Sequence, residues 1–346
     1  MDRLTRILTA AFEKDASDIH LTVGSVPIFR IDGNLIAHKD TVITADDTKQ
    51  MAHSILTDKQ WERLQKEREI DLSYGIPRLS RFRVNIFFQR NNLSLAFRVI
   101  PRNIPQLEDL HLPEVLKDIT RRPHGLVLVT GPTGSGKSTT LAAMIDYMNR
   151  HSSRHIITLE DPIEYIHKHN QSIIDQREVG VDTTSFQSGL RACLRQDPDV
   201  ILVGEMRDLD TISTAITAAE TGHLVLGTLH TQDVSTTMDR IIDVFPAYQK
   251  EQIRILLASV LEAIISQRLF PKAQQSGRIA STEILINNSA IRNLIRNEKM
   301  HQIPNTLQTS KELGMHTMEM DIRQKLKDGL ISRKHAEPYL TKYTKE

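Results

Sequence analysis

Nine consecutive residues carry the strongest chemical signal in the chain. Residues 131–139 read GPTGSGKST, with an apolar run (GLVLVT) before them and a helical pattern (TLAAMIDYM) after them. They match G-x-x-x-x-G-K-[ST] in the strand, loop and helix context that a phosphate-binding loop requires. Lys137 can reach the β- and γ-phosphates of a nucleotide, and Ser138 can ligate Mg²⁺. The predicted nucleotide-binding residues of this loop are Gly131, Pro132, Thr133, Gly134, Ser135, Gly136, Lys137, Ser138 and Thr139.

Acidic residues follow two further apolar runs, where a P-loop enzyme needs groups that hold Mg²⁺ and position water. The run HIITLE ends at Glu160, with Asp161 next and Glu164 just beyond. In the segment VILVGEMRD, Gly204 follows the apolar run at the position where a generic Walker B motif has Asp, and Glu205 comes next. We predict that Glu205 polarises water or holds the metal, directly or through water, and that Glu160 and Asp161 are metal ligands. Asp208 precedes a helical pattern, and its alternative role is to cap that helix.

Two histidines flank another apolar run, in the stretch ETGHLVLGTLHT at residues 220–231. Seven positions separate His223 from His230, so on a continuous strand they face opposite sides and lie roughly 23 Å apart. They cannot share one metal ion or one phosphate. We predict that His230, at the carboxyl end of the strand, donates a hydrogen bond to the γ-phosphate. His223 is expected to pack inside the domain or to contact a neighbouring subunit.

An arginine-rich segment closer to the N-terminus predicts a β-hairpin. In SRFRVNIFFQRNNLSLAFRVI, Arg81 and Arg83 are two residues apart and share one face of a strand. A turn centred on the Asn-Asn dipeptide pairs Asn85 with Arg98 and places Arg98 on that same face. Three arginines on one face suit an anionic ligand. A solvated sheet face is the alternative, and spacing alone does not decide between them.

The composition indicates an ordinary globular protein with room for two domains. The chain has 346 residues and a formal net charge of +1, which argues against a protein built mainly to coat nucleic acid. Its single cysteine, Cys193, allows no internal disulfide and is expected to be a buried, inert thiol. Neither a secretory signal peptide nor an apolar run long enough to span a bilayer is visible, which predicts a cytosolic protein.

The pattern of apolar residues changes part-way along the chain. Residues 1–105 alternate helical and strand-like segments and predict a small α+β domain, and the proline-containing stretch 106–117 predicts a linker. Over residues 118–346, Val-, Ile- and Leu-rich runs alternate with helical segments. Such runs are too apolar for half-exposed strands, so they predict an α/β domain with a buried parallel sheet.

Together these segments resemble one family, the secretion-type hexameric ATPases of type IV pili and type II secretion. The resemblance is carried by GPTGSGKST, by an Asp box reading LEDPIEY, by the Walker B segment ILVGEMRD and by a His box in TGHLVLGTLHT. It implies a homohexamer whose subunits combine a PAS-like N-terminal domain with a RecA-like P-loop domain, with ATP in the cleft between them. It also implies that Glu205 is the catalytic glutamate, Glu164 a supporting acid and His230 a γ-phosphate sensor. Arg83 and Arg98 then become the best candidates to reach the nucleotide.

A C-terminal segment narrows the resemblance to the retraction motors of this family. Residues 290–297 read AIRNLIRN and are followed by Glu298, where the family motif needed for retraction ends in Glu one position earlier. The resemblance implies Mg-dependent ATP hydrolysis that draws pilin back into the inner membrane and drives twitching motility. The implied partners are an inner-membrane platform protein and, indirectly, the pilin filament, with the ATPase in the cytoplasm at the pilus base.

Three other functions are alternatives to pilus retraction. A related pilus-assembly or type II secretion ATPase would share the same motifs. A RecA-like nucleic-acid translocase would need a basic, aromatic-lined channel, which balanced charge and 5% aromatic content do not support. A subunit that binds ATP without turning it over is disfavoured by Lys137, Glu205 and His230.

Overall fold

The computed structural model describes residues 2–31, 33–77, 79–101, 103–274 and 277–340, so the predicted end of the second domain at residue 346 lies outside them. The chain divides into two compact units. The first comprises Met1–Asn103 with Glu164–Ile166, and the second comprises Ile104–Ile163 with His167–Glu346.

The first unit is an antiparallel sheet with helices packed against it. Its helices are α1 (Arg3–Glu13), α2 (Ala45–Ile55) and α3 (Asp58–Glu67), and its strands are β1 (Asp18–Leu21), β2 (Ile28–Ile31), β3 (Asn34–Ala37), β4 (Glu69–Ile76), β5 (Ser80–Gln89) and β6 (Asn92–Ile100). The strand order is β3-β2-β1-β6-β5-β4. Helical spacing puts Leu4, Ile7, Leu8 and Ala11 of α1 in the core. Thr57 begins α3 with a capping box, which separates α3 from α2.

The hairpin of β5 and β6 corrects one sequence prediction. Its turn consists of Arg90 and Asn91, whose φ angles of 48° and 62° are those of a type I′ turn. Arg83 therefore lies opposite Arg98, and the predicted pairing of Asn85 with Arg98 is wrong by two residues. The prediction placed the turn one position too late along the chain. A two-residue slip leaves each side chain on its original face, so the shared arginine face survives the error.

The second unit contains a seven-stranded sheet in the order β13-β12-β7-β11-β10-β8-β9. Its strands are β7 (Gly125–Thr130), β8 (His155–Glu160), β9 (Ile173–Glu178), β10 (Val200–Val203), β11 (Leu224–Leu229), β12 (Leu261–Pro271) and β13 (Arg278–Ile286). Its helices are α4 (Val115–Thr120), α5 (Lys137–His151), α6 (Phe186–Cys193), α7 (Leu209–Glu220), α8 (Val234–Asp243), α9 (Lys250–Val260), α10 (Ser289–Arg296), α11 (Ile303–Thr309), α12 (Met318–Lys327) and α13 (Arg333–Ala336). All neighbouring pairs are parallel except β12 and β13.

Burial on both faces explains the long apolar runs of this sheet. On β7, Leu126 and Leu128 belong to one hydrophobic core, whereas Val127 and Val129 belong to another. Successive residues of a strand point to opposite faces, so the sheet has a packed core on each side. Cys193 at the end of α6 is buried and unpaired, as expected. Among the described residues, no helix combines the length and the apolarity that a membrane span requires.

Parallel pairing collects the carboxyl ends of the central strands at one edge of the sheet. Thr130 at the end of β7 lies beside Leu229 at the end of β11, and Val203 at the end of β10 lies beside Leu159 of β8. The loops that follow these strands therefore meet at the same edge. Asp208, in the loop after β10, accepts a hydrogen bond from the Thr211 amide at 2.9 Å and caps α7, as the alternative interpretation of this residue predicted.

Candidate nucleotide-binding site

The P-loop connects the end of β7 to the first residue of α5. Gly131 has a φ of 140°, and a Cβ atom there would lie 2.3 Å from the Gln267 carbonyl oxygen, so only glycine fits. Lys137 Nζ donates hydrogen bonds to the carbonyl oxygens of Gly131 and Pro132, at 2.9 and 3.1 Å. The Lys137 side chain thus reaches back to the start of the P-loop, and its ammonium group lies beside the carbonyl oxygens of the first two loop residues.

The start of α5 has the properties of an anion site. Its N-cap residue is Gly136, in a left-handed conformation, so no side chain caps the helix. The first amides of a helix carry a partial positive charge, which favours a bound phosphate. Within the described ranges, Ser135 Oγ is buried and has no hydrogen-bond partner. An uncapped helix, a buried hydroxyl and a lysine at one turn fit a nucleotide phosphate.

Glu205 and His230 meet across the ends of β10 and β11. His230 Nε2 lies 3.1 Å from Glu205 Oε1, and the same oxygen accepts a hydrogen bond from Arg207 Nε. The Glu205 side chain is 19% exposed, whereas the Arg207 side chain that pairs with it is 76% exposed. The ion pair with Glu205 raises the pKa of the Arg207 guanidinium. Glu205 and His230, which sequence analysis placed after two different strands, are therefore direct neighbours.

Backbone packing explains why Glu205, and not the residue before it, carries the carboxylate. A Cβ atom at Gly204 would lie 2.9 Å from the Leu159 carbonyl oxygen and 3.3 Å from the Glu160 Cα, so an Asp side chain has no room there. The Met206 amide then donates to the Thr228 carbonyl oxygen at 3.0 Å and ties the loop to β11. These two contacts turn the Glu205 side chain towards the end of β11.

A cavity of about 520 Å³ opens beside this pair. Thr133 of the P-loop, Glu205, Arg207 and His230 all border it, as does Arg240 of α8. The cavity brings the P-loop together with two residues that sequence analysis placed on separate strands. Arg240 was missed, because it lies on an exposed helix position and no motif surrounds it. Its place at the cavity follows from the turn of the chain after β11, which spacing does not reveal.

A second cavity, of about 370 Å³, lies beside the last residues of the P-loop and the start of α5. It is bordered by Gly136, Thr139 and Gln267, together with Leu112 and Arg278. Gln267 also accepts a hydrogen bond from Thr140 of α5 at 2.9 Å, so its amide is oriented by the P-loop helix. Pockets with apolar walls and a few fixed polar groups are typical of small-ligand sites. Sequence analysis missed Gln267, because β12 lies far from the P-loop along the chain.

The acids after β8 have different surroundings. Glu160 Oε1 accepts hydrogen bonds from Thr158 Oγ1 at 2.6 Å and from Gln176 Nε2 at 3.1 Å, so a residue of its own strand and one of the neighbouring strand β9 orient it. Asp161 follows at the surface, close enough to contribute to the raised pKa of Arg207. Glu164 is exposed and belongs to the first of the two units.

The predicted arginine face exists in the first unit. Arg81, Arg83 and Arg98 lie opposite the buried faces of β5 and β6. Arg98 Nε donates to Asp18 Oδ1 at 2.9 Å, and Arg98 remains 69% exposed. Burial alone would raise the pKa of Asp18, but hydrogen bonds from Ser17 and Arg98 lower it. Arg98 is thus already paired with a carboxylate.

His223 has a local structural role. Its Nδ1 lies 2.9 Å from the Ala218 carbonyl oxygen, so it closes the turn between α7 and β11. The two histidines flank β11, which runs without interruption from Leu224 to Leu229. His223 packs at the amino end, as expected, while His230 lines the cavity at the carboxyl end.

Comparison with known proteins identifies the relatives of this chain. A family model described as type II/IV secretion system protein matches residues 1–338. The chain belongs to this family. It is 46% identical over 333 residues to the type IV pilus retractation ATPase PilT of Pseudomonas aeruginosa PAO1, covering 96% of each chain. It is 48% identical over 306 residues to a twitching motility protein of Neisseria gonorrhoeae, covering 88% of this chain and 82% of that protein.

A solved structure supports the same assignment. The crystal structure of the pilus retraction motor PilT with bound ADP matches with a TM-score of 0.92 at 47% identity, covering 100% of this chain and 99% of that one. The predictions of a RecA-like P-loop domain preceded by a small α+β domain, and of a nucleotide-binding P-loop ATPase, are confirmed. The predicted resemblance to pilus retraction motors is confirmed as well.

Proposed function

We propose that this chain is a subunit of a hexameric Mg-dependent ATPase that powers type IV pilus retraction. One observation carries the proposal. Glu205 and His230 contact each other at the carboxyl edge of a parallel sheet, beside a cavity that the P-loop borders through Thr133. The relatives that share nearly the full length of the chain carry the names of a retraction ATPase and a twitching motility protein.

Each site residue has a proposed role in hydrolysis. Residues 131–139 bind the phosphates, and Lys137 stabilises the charge that develops on the γ-phosphate. Glu205 orients and activates the attacking water, and His230 senses the γ-phosphate. Glu164 is a supporting acid. Arg81, Arg83 and Arg98 are proposed to reach the nucleotide from the first unit; for Arg98 this requires release from Asp18.

The residues at the P-loop are suited to Mg²⁺ held jointly with a nucleotide. Across the described ranges, no group of three or more His, Cys, Asp or Glu side chains is placed to hold a metal alone. A P-loop needs no such group, since the phosphates supply most of the ligands. We propose Ser138 as the direct protein ligand and Glu205 as a ligand through water, with Glu160 and Asp161 as further candidates. Mg²⁺ would neutralise charge on the phosphate oxygens.

The proposed partners are those that the resemblance to pilus retraction motors implies. They are an inner-membrane platform protein and, indirectly, the pilin filament. We therefore propose that the chain acts in the cytoplasm, as a homohexamer held peripherally at the inner membrane. No nucleic-acid partner is proposed.

The test is a gene deletion combined with complementation by site variants. Loss of twitching together with excess surface pili in the deletion strain supports retraction. Wild-type protein should restore twitching and the normal number of pili, whereas the Lys137→Ala variant should restore neither. Cells without pili would indicate an extension motor instead. In parallel, purified hexamer is assayed with and without single-stranded DNA, and clear stimulation of ATP hydrolysis would favour a nucleic-acid translocase.

A further inference from the structure

A single carboxylate on β13 joins the starts of two helices. Glu283 Oε1 accepts a hydrogen bond from the Val234 amide at 2.9 Å, and Glu283 Oε2 accepts one from the Met318 amide at 3.3 Å. Val234 is the first residue of α8, and Met318 is the first residue of α12. Each oxygen of one side chain thus serves the first amide of a different helix.

The chemistry of this contact requires a carboxylate. First-turn amides have no acceptor within their own helix and carry the positive end of the helix dipole. An ionised carboxylate offers an acceptor at both oxygens, whereas a glutamine would point an amide N–H₂ at one helix start. Burial raises the pKa of Glu283 above its ordinary value, although the two amide hydrogen bonds act in the opposite direction; the nearby Asp233 adds to the rise.

From α8, hydrogen bonds continue to the nucleotide site. Thr237 Oγ1 donates to the Asp233 carbonyl oxygen at 2.6 Å, and it also lies 2.6 Å from Thr231 Oγ1. Because the Thr237 proton is used on Asp233, Thr231 is the donor of the second bond. Thr231 directly follows His230, and both residues border the cavity that Glu205 also lines.

The α12 end of the bridge is fixed to the same strand. Asp321 accepts a hydrogen bond from the Thr282 amide at 2.9 Å, next to Glu283 on β13. Asp321 also pairs with Lys325, whose side chain is only 8% exposed. Thr282 and Glu283, consecutive residues of β13, therefore both form hydrogen bonds with the first turn of α12. Glu283 also accepts a hydrogen bond from the start of α8.

We propose that Glu283 is a positioning residue for the nucleotide site: it fixes the start of α8 against β13 and α12, and through Thr237 and Thr231 it sets the position of His230. The inference rests on the proposed role of His230 in sensing the γ-phosphate. It makes α12, none of whose described residues borders the cavity beside Glu205 and His230, part of the framework that positions His230.

The experiment is a double-mutant cycle on the purified hexamer, with Glu283→Gln and His230→Ala alone and combined. Glu283→Gln should lower kcat roughly tenfold and change KM for ATP less than about twofold, because one hydrogen bond to a helix start is lost. In the His230→Ala background, the same change should lower kcat less than about twofold. If the fold-losses in kcat of the two single variants multiply in the double variant, Glu283 and His230 act independently and the proposal is wrong.

A matched control separates positioning from general destabilisation. Glu262 lies on the neighbouring strand β12, with a side chain 19% exposed, and pairs with Arg122 at 3.4 Å. Glu262→Gln removes a similarly placed carboxylate that holds neither α8 nor α12. Its effect on kcat should be small and should be the same with and without His230. If Glu262→Gln reproduces the coupling of Glu283→Gln, the effect is a general loss of packing and the proposal fails.

Two further measurements keep the bridge testable if a variant folds poorly or if His230 has another role. Amide hydrogen exchange of Glu283→Gln should rise together at residues 234–237 and 318–322, and an increase at only one helix start would contradict the bridge. Should Glu283→Gln fail to fold, Thr237→Val breaks the last link and takes its place in the cycle. If His230→Ala keeps wild-type turnover, the role of His230 in the proposed function is lost, and exchange still reports on the bridge itself.

Discussion

The two ends of the central parallel strands use similar residues for different purposes. At the amino ends, His155 binds the Asp197 carbonyl before β10, His223 binds the Ala218 carbonyl near the end of α7, and Asp199 accepts the His155 amide at 2.7 Å. At the carboxyl ends, His230 and Glu205 contact each other across two strands and border a cavity. Polar groups at the amino ends thus bind nearby backbone groups and carboxylates of the same edge.

This difference shows that strand direction, and not residue type, assigns a histidine or an acid its role. In a parallel sheet, the carboxyl ends open onto loops that lead to helix starts, where amides and positive dipoles collect. The amino ends receive the ends of the preceding helices and turns. We therefore expect substitutions at the carboxyl edge to alter ATP turnover and substitutions at the amino edge to alter stability alone.

The largest expected effect is at Lys137, at the start of α5. Lys137→Ala should lower ATP turnover roughly a thousandfold, because the charge that compensates the phosphates is lost. Turnover is measured by phosphate release from purified hexamer, and nucleotide binding is measured separately with a fluorescent ATP analogue. Residual turnover above a tenth of the wild-type rate would remove Lys137 from the centre of the site.

The next effect is at Glu205, where binding and hydrolysis should separate. Glu205→Gln should lower kcat roughly a hundredfold, since general-base assistance is lost, while the affinity for ATP changes little. The expected result is ATP that stays bound and unhydrolysed in single-turnover assays. The matched control is Glu262→Gln, another half-buried glutamate of the same sheet. Equal kcat values for Glu205→Gln and wild type would show that the carboxyl edge does not hold the base.

Much of this edge could be predicted from the sequence, because its signals are local. The P-loop, the strand ends before Glu160 and Glu205, and the unequal roles of His223 and His230 follow from short motifs and from strand periodicity. Residues contributed by distant parts of the chain could not be found in this way. Gln267 and Arg240 reach the two cavities through the order of strands and through the path after β11, and neither has a motif.

The fold was predictable to a similar depth. Long Val- and Ile-rich runs indicated a buried parallel sheet, and the structure has one with a core on each face. The hairpin register failed because two residues, Arg90 and Asn91, both adopt positive φ, and the sequence favoured the neighbouring Asn-Asn pair as the turn. The bridge at Glu283 was invisible, since helix starts 49 and 35 positions away meet at one side chain.

A direct comparison of the two histidines isolates the effect of strand direction. His230→Ala should lower kcat roughly tenfold, because it removes the proposed contact with the γ-phosphate and the observed contact with Glu205. His223→Gln, at the other end of the same strand, should leave kcat within about twofold and lower the unfolding temperature by only a few degrees. Both variants are assayed side by side for turnover and for thermal unfolding. Similar losses of kcat would break the comparison between the two ends.

The smallest expected effect is a pH dependence of stability at the amino edge. Burial lowers the pKa of His155, but its contacts with Asp175 and with the Asp197 carbonyl outweigh that effect, so the net pKa is raised. A raised pKa means that the stabilisation is complete below the ordinary histidine value of about 6.5 and is lost as the pH rises through the folded-state pKa. His155→Gln should therefore lower the unfolding temperature more at about pH 6 than at about pH 8.5. The corresponding difference in the free energy of unfolding should be less than roughly 1 kcal/mol, since Asp175 is largely exposed. Thermal unfolding at both pH values measures the difference. A gap that is constant with pH would show that the contact is not an ion pair, and a change in kcat would contradict the division between the two edges.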